Sequence, residues 1–524
     1  MSIETMWLLG LVISLILVIM SGMPVLLAIA GVPVLVGIIA SFFGHFDLSY
    51  FSAFPQRVFG IMENSLLIAV PLFVMMGVLL ERSKIAEKML LMMAGFFGGS
   101  RSGLAYSVLI VSALIAASTG IIGATIVMLG MISLPALLKA GVSKQLSSGL
   151  ICASGTLGQI IPPSIVLILL GDQISNAYIE AQQNLGNFAP DPVSVGDLFA
   201  GAILPGLLLV ALYALYIFIY GFFIDKQPIT AQQSADITPA IDVDFKQVCT
   251  VFLPPILLII AVLGSILMGI ATPTEAAGVG VAGTMLIAAL NSNDTTNKQH
   301  AIILLGVFSA FCIAIIVSLQ LSSAESSSAA FFSVLTLVLS AILVLSLVLS
   351  AYQLIKDEIL GSALSQSVSV SGMVFAIIIA ASMLSLVFRG FGGDEIVNEL
   401  LSNIPGDRWG ALLAVMIVIF LLGFILEFVE ILFIVIPLVG PVLLAMDFNP
   451  VWLAILIAIN LQTSFLTPPF GFALFYYRSV APASITTVDI YKSVIPFIVI
   501  QLLAMAILVM YPQIATWLPE LINK

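Results

Sequence analysis

Apolar residues in this chain fall in long unbroken blocks, and the polar residues gather in short segments between them. A helix needs about 20 apolar residues to cross a bilayer. Blocks of that length lie at roughly 6–22, 24–43, 65–80, 147–170, 198–224, 250–268, 270–290, 302–320, 331–354, 368–388, 451–476 and 493–516. The first two read equally as one long bent helix. Two further blocks, 103–138 and 409–446, are too long for one span. Each is interrupted midway, at Ser118-Thr119-Gly120 and between Gly423 and Glu430. Interrupted apolar segments in matching positions of two halves predict re-entrant hairpins around a midplane site. Stretches 81–98 and 390–406, just before the hairpins, read as in-plane amphipathic arms.

Composition decides the class. Hydrophobic residues make up 61% of the 524 and charged ones 8%, against about 25% charged in a soluble domain. The mean hydropathy is +1.23. These values exclude a cytosolic enzyme, a nucleic-acid binder and a disordered scaffold. They predict an all-α polytopic membrane protein, with about 12 transmembrane helices plus the two hairpins. A net charge of −11 leaves no basic patch for nucleic acid. Cys152, Cys249 and Cys312 lack metal-ligand spacing and read as small core residues, while His45 and His300 fall in loops. An intramembrane enzyme would need a nucleophile–base pair or a metal cluster at membrane depth. The apolar blocks hold no histidine and no paired acids placed for that chemistry. The run from Met6 lacks the basic leader of a signal peptide and reads as the first span.

Charge sets the orientation through the positive-inside rule. Arg82, Lys84, Lys88 and Arg101 precede the first hairpin, and Lys139 and Lys144 follow it, so it opens from the cytoplasm. Asp394, Glu395, Glu399, Asp407 and Asp447 flank the second, outnumbering Arg389 and Arg408, so it opens from outside. The acidic loop 171–197 falls outside and Arg478 and Lys492 inside, with Arg57 a mild exception.

Both halves therefore run arm, hairpin, broken helix, in opposite orientation. The first break reads Gly155-Thr156-Leu157-Gly158-Gln159-Ile160-Ile161-Pro162-Pro163-Ser164, and the second lies within Asn460 to Gly471 around Pro468-Pro469. One such proline is ordinarily only a kink. Two Pro-Pro pairs at corresponding points of an inverted repeat suggest paired sites. Each proline removes an N–H and clashes one turn back, so the helix opens. Carbonyls freed in hydrocarbon must be satisfied, and a sodium ion does so with its preference for hard oxygen ligands. The half-helix N-termini offer a positive dipole end to an anion. Glu427 in the second hairpin is an intramembrane acid and hence a functional candidate, unless it lies at the water-facing mouth of the hairpin; Glu430 is a weaker one.

At these residues the sequence resembles the large membrane (permease) subunit of tripartite ATP-independent periplasmic (TRAP) transporters. The resemblance runs from Pro71-Leu72-Phe73 through the 118–125 tip, Gly155 to Ser164, Asp197-Leu198-Phe199 and Pro205-Gly206. It continues through Ala271-Thr272-Pro273-Thr274-Glu275-Ala276-Ala277 to Leu466-Thr467-Pro468-Pro469-Phe470-Gly471. It implies an elevator-type symporter of the bacterial inner membrane, with sodium as coupling ion and no other cofactor. A periplasmic binding protein would deliver a small organic anion, expected to be a carboxylate, and a separate small membrane subunit would brace the scaffold. Carried over residue by residue, Thr119, Gly158, Ile161 and Pro163 would form one sodium site, and Gly423, Ser464, Thr467 and Phe470 the other. Ile161, Pro163 and Phe470 would serve through their carbonyls. Gly120, Thr125, Thr156, Gln159, Glu427 and Thr463 are the candidates for substrate contact.

Two departures from the family pattern stand out. Family members often carry Gly-Ser-Ser at the first tip, where this chain has Gly120-Ile121-Ile122, implying a less polar pocket. Segment 293–354 reads as an inserted pair of spans. The resulting division is 1–64 scaffold, 65–195 first transport repeat, 196–292 scaffold, 293–354 insertion, 355–480 second transport repeat and 481–524 a C-terminal span. The competing reading is a stand-alone sodium/anion symporter of the divalent-anion type, which needs no binding protein. Arg389 and Arg408, at the outer face, are candidates for docking the binding protein.

Overall fold

The computed structural model describes residues 3–96, 101–120, 122–223, 245–292, 297–322 and 329–523, and everything regular among them is helical. The N-terminal pair, α1 (Ile3–Met20) and α2 (Val25–Phe42), are two separate helices rather than one bent one, parted by a turn at Gly22 with φ +85°. The chain then runs through α3 (Phe54–Glu63), α4 (Ala69–Arg82) and the arm α5 (Ile85–Phe96). The first hairpin is α6 (Arg101–Thr119) and α7 (Ile122–Lys139). The first broken helix is α8 (Lys144–Gly155), a 3-10 turn (Thr156–Gln159) and α9 (Ile165–Asn184). Next come α10 (Val195–Phe223), α11 (Phe245–Leu267), α12 (Pro273–Leu290), α13 (Asn297–Ser322) and α14 (Ala329–Lys356). The second series is α15 (Ile359–Gly390), the arm α16 (Gly393–Ser402) and the hairpin α17 (Asp407–Leu422) and α18 (Phe428–Ala445). It ends in the broken helix α19 (Pro450–Leu466) and α20 (Phe472–Val480), followed by α21 (Thr487–Met510) and α22 (Gln513–Ile522).

Ten helices among the described residues are long and apolar enough to span a membrane. Both hairpins and both arms stand where the hydropathy pattern puts them. The second break is shorter than the first: α19 stays helical through Asn460 to Leu466, and only residues 467–471 are open. The pattern does not foresee α3, which carries no buried residue, or the separate terminal helix α22.

Local chemistry fixes where the helices begin. In the 271–277 motif the Thr272 hydroxyl accepts from the Glu275 N–H at 3.3 Å, and the Glu275 carboxylate accepts from the Thr272 N–H at 2.8 Å. That reciprocal cap, with Pro273 at the first helical position, starts α12. Asn449 caps α19 and Ser143 caps α8 in the simpler one-bond form.

The broken helices form the core. Every residue from Val451 to Leu466 is buried, whereas α1 buries only Leu8 and Leu11. Helix α9 packs along α18, α8 along α21, and α10 along α6, α19 and α21. Around this body stand α2, α4, α12 and α15, and α4 and α15 touch both groups, through α6 and α18. Helices α13 and α14 pack chiefly on each other, and α14 turns Leu337, Val344, Leu345 and Val348 outward, as a lipid-facing helix does. Cys152 is buried and Cys312 half-buried, both as free thiols, while the Cys249 side chain lies outside the described residues.

At the acidic end of α9, the Arg389 guanidinium donates to both Glu180 oxygens at 3.0 Å and lies 3.3 Å from Asp394. Arg389 therefore joins α9, α15 and α16 while its side chain stays partly exposed. Arg408 lies over the rings of Trp409 and Phe448 at 5.7 and 5.5 Å. Burial pushes Asp394 above the usual carboxylate range, against the pull of Arg389. A carboxyl raised in the folded state stabilises the fold while protonated and loses that contribution as pH rises through its folded pKa. Arg389→Ala is expected to cost about 1 kcal/mol or less, as for a partly exposed pair. Its loss should grow as pH rises through the carboxylate range, where Asp394 charges unpaired; unfolding midpoints along a pH series check this.

Candidate substrate and ion site

The two breaks lie side by side in the core. The Gln462 amide of α19 donates to the Thr156 hydroxyl at 3.2 Å, across 306 positions of sequence. The Asn460 amide donates to the Met416 carbonyl of α17 at 2.8 Å, fixing the second hairpin to the second broken helix. The Tyr491 hydroxyl donates to the Pro469 carbonyl at 3.0 Å, satisfying one group that the break leaves open.

At the first break, the carbonyls of Ile160, Ile161, Pro162 and Pro163 accept no hydrogen bond among the described residues. Gly158 lies directly under α6: a Cβ there would stand 3.1 Å from the Ala116 carbonyl oxygen. The end of α6 thus reaches the break, and Thr119 is its last residue, with a side chain outside the described residues. Ile121 also lies outside them. At the second break, a Cβ on Gly423 would run into the Ser464 hydroxyl oxygen, so the second tip meets its broken helix just as closely. The Ser464 hydroxyl donates to Leu461 O at 2.9 Å and that of Thr467 to Thr463 O at 2.7 Å. With their protons tied to backbone, both hydroxyls keep lone pairs for an acceptor's role toward a cation. The Phe470 residue is half exposed.

Between the tips lies a cavity of about 220 Å³. Its wall includes Gly120 and Gly123 of the first tip, Glu427 and Phe428 of the second, and Tyr476 of α20. Valines of α4 and α15, at 70, 74, 370 and 374, close it from the surrounding helices. Ile122, Ile165, Phe428 and Phe472 are the first residues of α7, α9, α18 and α20, and all four line it. Four helix N-termini therefore converge on one small space; that of α18 is already capped by the Glu427 and Glu430 carboxylates, and α7, α9 and α20 carry the remaining partial positive charge. Gly120 makes the turn into α7 possible with φ +58°, a region that residues with side chains avoid.

The substrate candidates divide. Gly120 and Glu427 are on the wall. Thr156 is engaged between Ala153 O and Gln462, and Thr463 donates to Ile459 O at 2.8 Å. Thr125 is buried within α7 away from the wall. Gln159 is fully buried with neither amide atom partnered among the described residues. Glu430 is buried, its carboxylate accepting the Glu427 N–H at 3.0 Å, and it serves the tip's backbone. Sequence reasoning misses Tyr476 and the four valines, because ordinary apolar residues give no signal until the fold collects them.

The sequence profile described as "Tripartite ATP-independent periplasmic transporter, DctM component" matches residues 12–309 and 302–514. This chain belongs to that TRAP transporter family. The two matched stretches meet inside α13, where the sequence reading places its insertion. The chain is 26% identical to the C4-dicarboxylate TRAP transporter large permease protein DctM of Vibrio cholerae, covering 94% of this chain and 95% of that one. It is 25% identical to the ectoine TRAP transporter large permease protein TeaC of Halomonas elongata, again over 94% and 95%. The solved YdaH transporter of Alcanivorax borkumensis shares the fold with a TM-score of 0.51 at 12% identity, covering 89% of this chain and 87% of that one. TRAP large permeases are inner-membrane transport proteins that work with a small permease subunit and a periplasmic binding protein.

Proposed function

We propose that this TRAP permease couples sodium entry to uptake of a small organic anion handed over by its binding protein. The observation that carries the reading is the convergence of four helix N-termini on one cavity, next to two helix breaks with oxygen-rich edges. The N-termini favour an anion. The open carbonyls of 160–163, and the hydroxyls of Ser464 and Thr467, suit sodium. On this packing helices α6 to α10 and α17 to α21 form the moving body, sliding as an elevator against a scaffold that includes α2, α4, α12 and α15, so that α4 and α15 leave the transport repeats read from the sequence and α10 and α21 join them. Family membership favours delivery by a binding protein over the stand-alone symporter.

The test is thermal unfolding of the permease with its small subunit across matched NaCl and KCl series. A ligand bound only to the folded state stabilises it by RT ln(1 + [L]/Kd), about 2.7 kcal/mol at a hundred times Kd. Sodium should raise the midpoint and potassium should not, and Thr467→Ala should remove a large part of the rise. Superimposable sodium and potassium curves would reject the coupling ion.

A further inference from the structure

We infer that the transported anion is a monocarboxylate with an apolar body of a few carbons, an inference that rests on the cavity being the substrate site proposed above. The relatives are named for polar cargo, including C4-dicarboxylate, ectoine, sialic acid and isethionate. This cavity offers such cargo little. Among its described lining residues the only side chains with polar atoms, apart from the Met373 thioether, are Glu427 and Tyr476, and none is a lysine, arginine or histidine. Val74, Ile122, Ile165, Val374, Phe465 and Phe472 are among the apolar residues of the remaining wall.

One negative charge is matched by the helix N-termini. A second would face valine and phenyl groups with no cationic partner, beside the Glu427 carboxylate. The Tyr476 hydroxyl is the only side-chain donor among the described lining residues, and a poorly paired buried charge is strongly disfavoured. A hydroxyl-rich body would leave donors and acceptors unpaired on the same surface. A hydrocarbon body gains instead, by roughly fourfold in affinity for each methylene buried. The first tip contributes to this chemistry directly, since Ile122 stands on the wall.

Gly123 sets the room available. A Cβ there would stand 2.7 Å from the Tyr476 ring, so the missing side chain lets that ring lie flat against α7. Gly123→Ala pushes the ring toward the cavity and should penalise bulky substrates before small ones. Gly123 and Tyr476 are specificity-determining positions on this reading.

The experiment uses the permease with its small subunit in saturating NaCl. It titrates acetate, propionate, butyrate, 4-methylpentanoate, phenylacetate, succinate and N-acetylneuraminate while following the unfolding midpoint. Affinity should rise about fourfold per methylene from propionate to 4-methylpentanoate, and phenylacetate should bind, while succinate and N-acetylneuraminate should give no shift. Gly123→Ala should weaken 4-methylpentanoate and phenylacetate several-fold more than acetate. A flat chain-length series, tighter binding of succinate, or no binding of any probe would overturn the inference. The two readings separate cleanly. Sodium stabilisation with a flat series would leave the symport reading standing and remove this one. A length-dependent series that ignores sodium would uphold this one and remove the coupling ion.

Discussion

Gly423→Ala should reduce sodium-dependent stabilisation and sodium-driven uptake by about ten- to a hundredfold. The added methyl would run into the Ser464 hydroxyl, which sits against the tip of the second hairpin. Overpacking of this kind costs roughly 1–3 kcal/mol, and each 1.4 kcal/mol is about tenfold in an equilibrium. The methyl also displaces the oxygen proposed to face the cation, so the cost falls on the ion-bound state. Gly264→Ala is the control, since a Cβ there meets nothing within 4 Å. The measurements are unfolding midpoints in NaCl and KCl, and uptake by proteoliposomes with the binding protein supplied. If the KCl midpoint falls as far as the NaCl midpoint, the glycine serves packing alone and the second ion site fails.

Gly149→Ala should destabilise the permease in either salt, by about 1–3 kcal/mol. Gly149 lies in α8 where α21 crosses it, and its missing side chain lets the Ser493 carbonyl approach; a Cβ would also stand 2.7 Å from the Phe497 ring. A backbone carbonyl cannot rotate aside as a side chain can, so the two helices must separate. Close approach at small residues is how helices associate in lipid, where apolar surface alone gives no drive. The expected result is a lower unfolding midpoint by the same amount in sodium and potassium, with the difference between the salts retained. A loss confined to sodium would show instead that α8 and α21 report directly on the ion sites.

Much of the fold is legible in the sequence because the bilayer demands it. Backbone groups in hydrocarbon must be satisfied within the segment, so block length alone marks the spans. Blocks too long for one span then mark the hairpins α6–α7 and α17–α18. The breaks are read from the matching places of two Pro-Pro pairs after the two hairpins, not from proline alone, since Pro254-Pro255 stays inside the continuous helix α11. The helix α3 escapes the block-length rule because its 10 residues, though amphipathic, are too few to span the bilayer. The Arg389 ion pair is equally illegible, because only the fold brings Glu180 from 209 positions away to pair with it.

The sequence by itself determined the class, the helix order, the two hairpins and the two breaks, because each follows from local length, charge or covalent geometry. The tertiary structure alone decided what faces the cavity. Tyr476, Val70, Val74, Val370 and Val374 come from three distant elements, and no spacing rule joins them. It also decided that four helices would start at one point, with Gly123 and Gly423 marking where neighbouring side chains press close to the two tips. Local pattern specifies which segments open and turn, but the chemistry of a cavity is set by which of those openings the packed helices bring together.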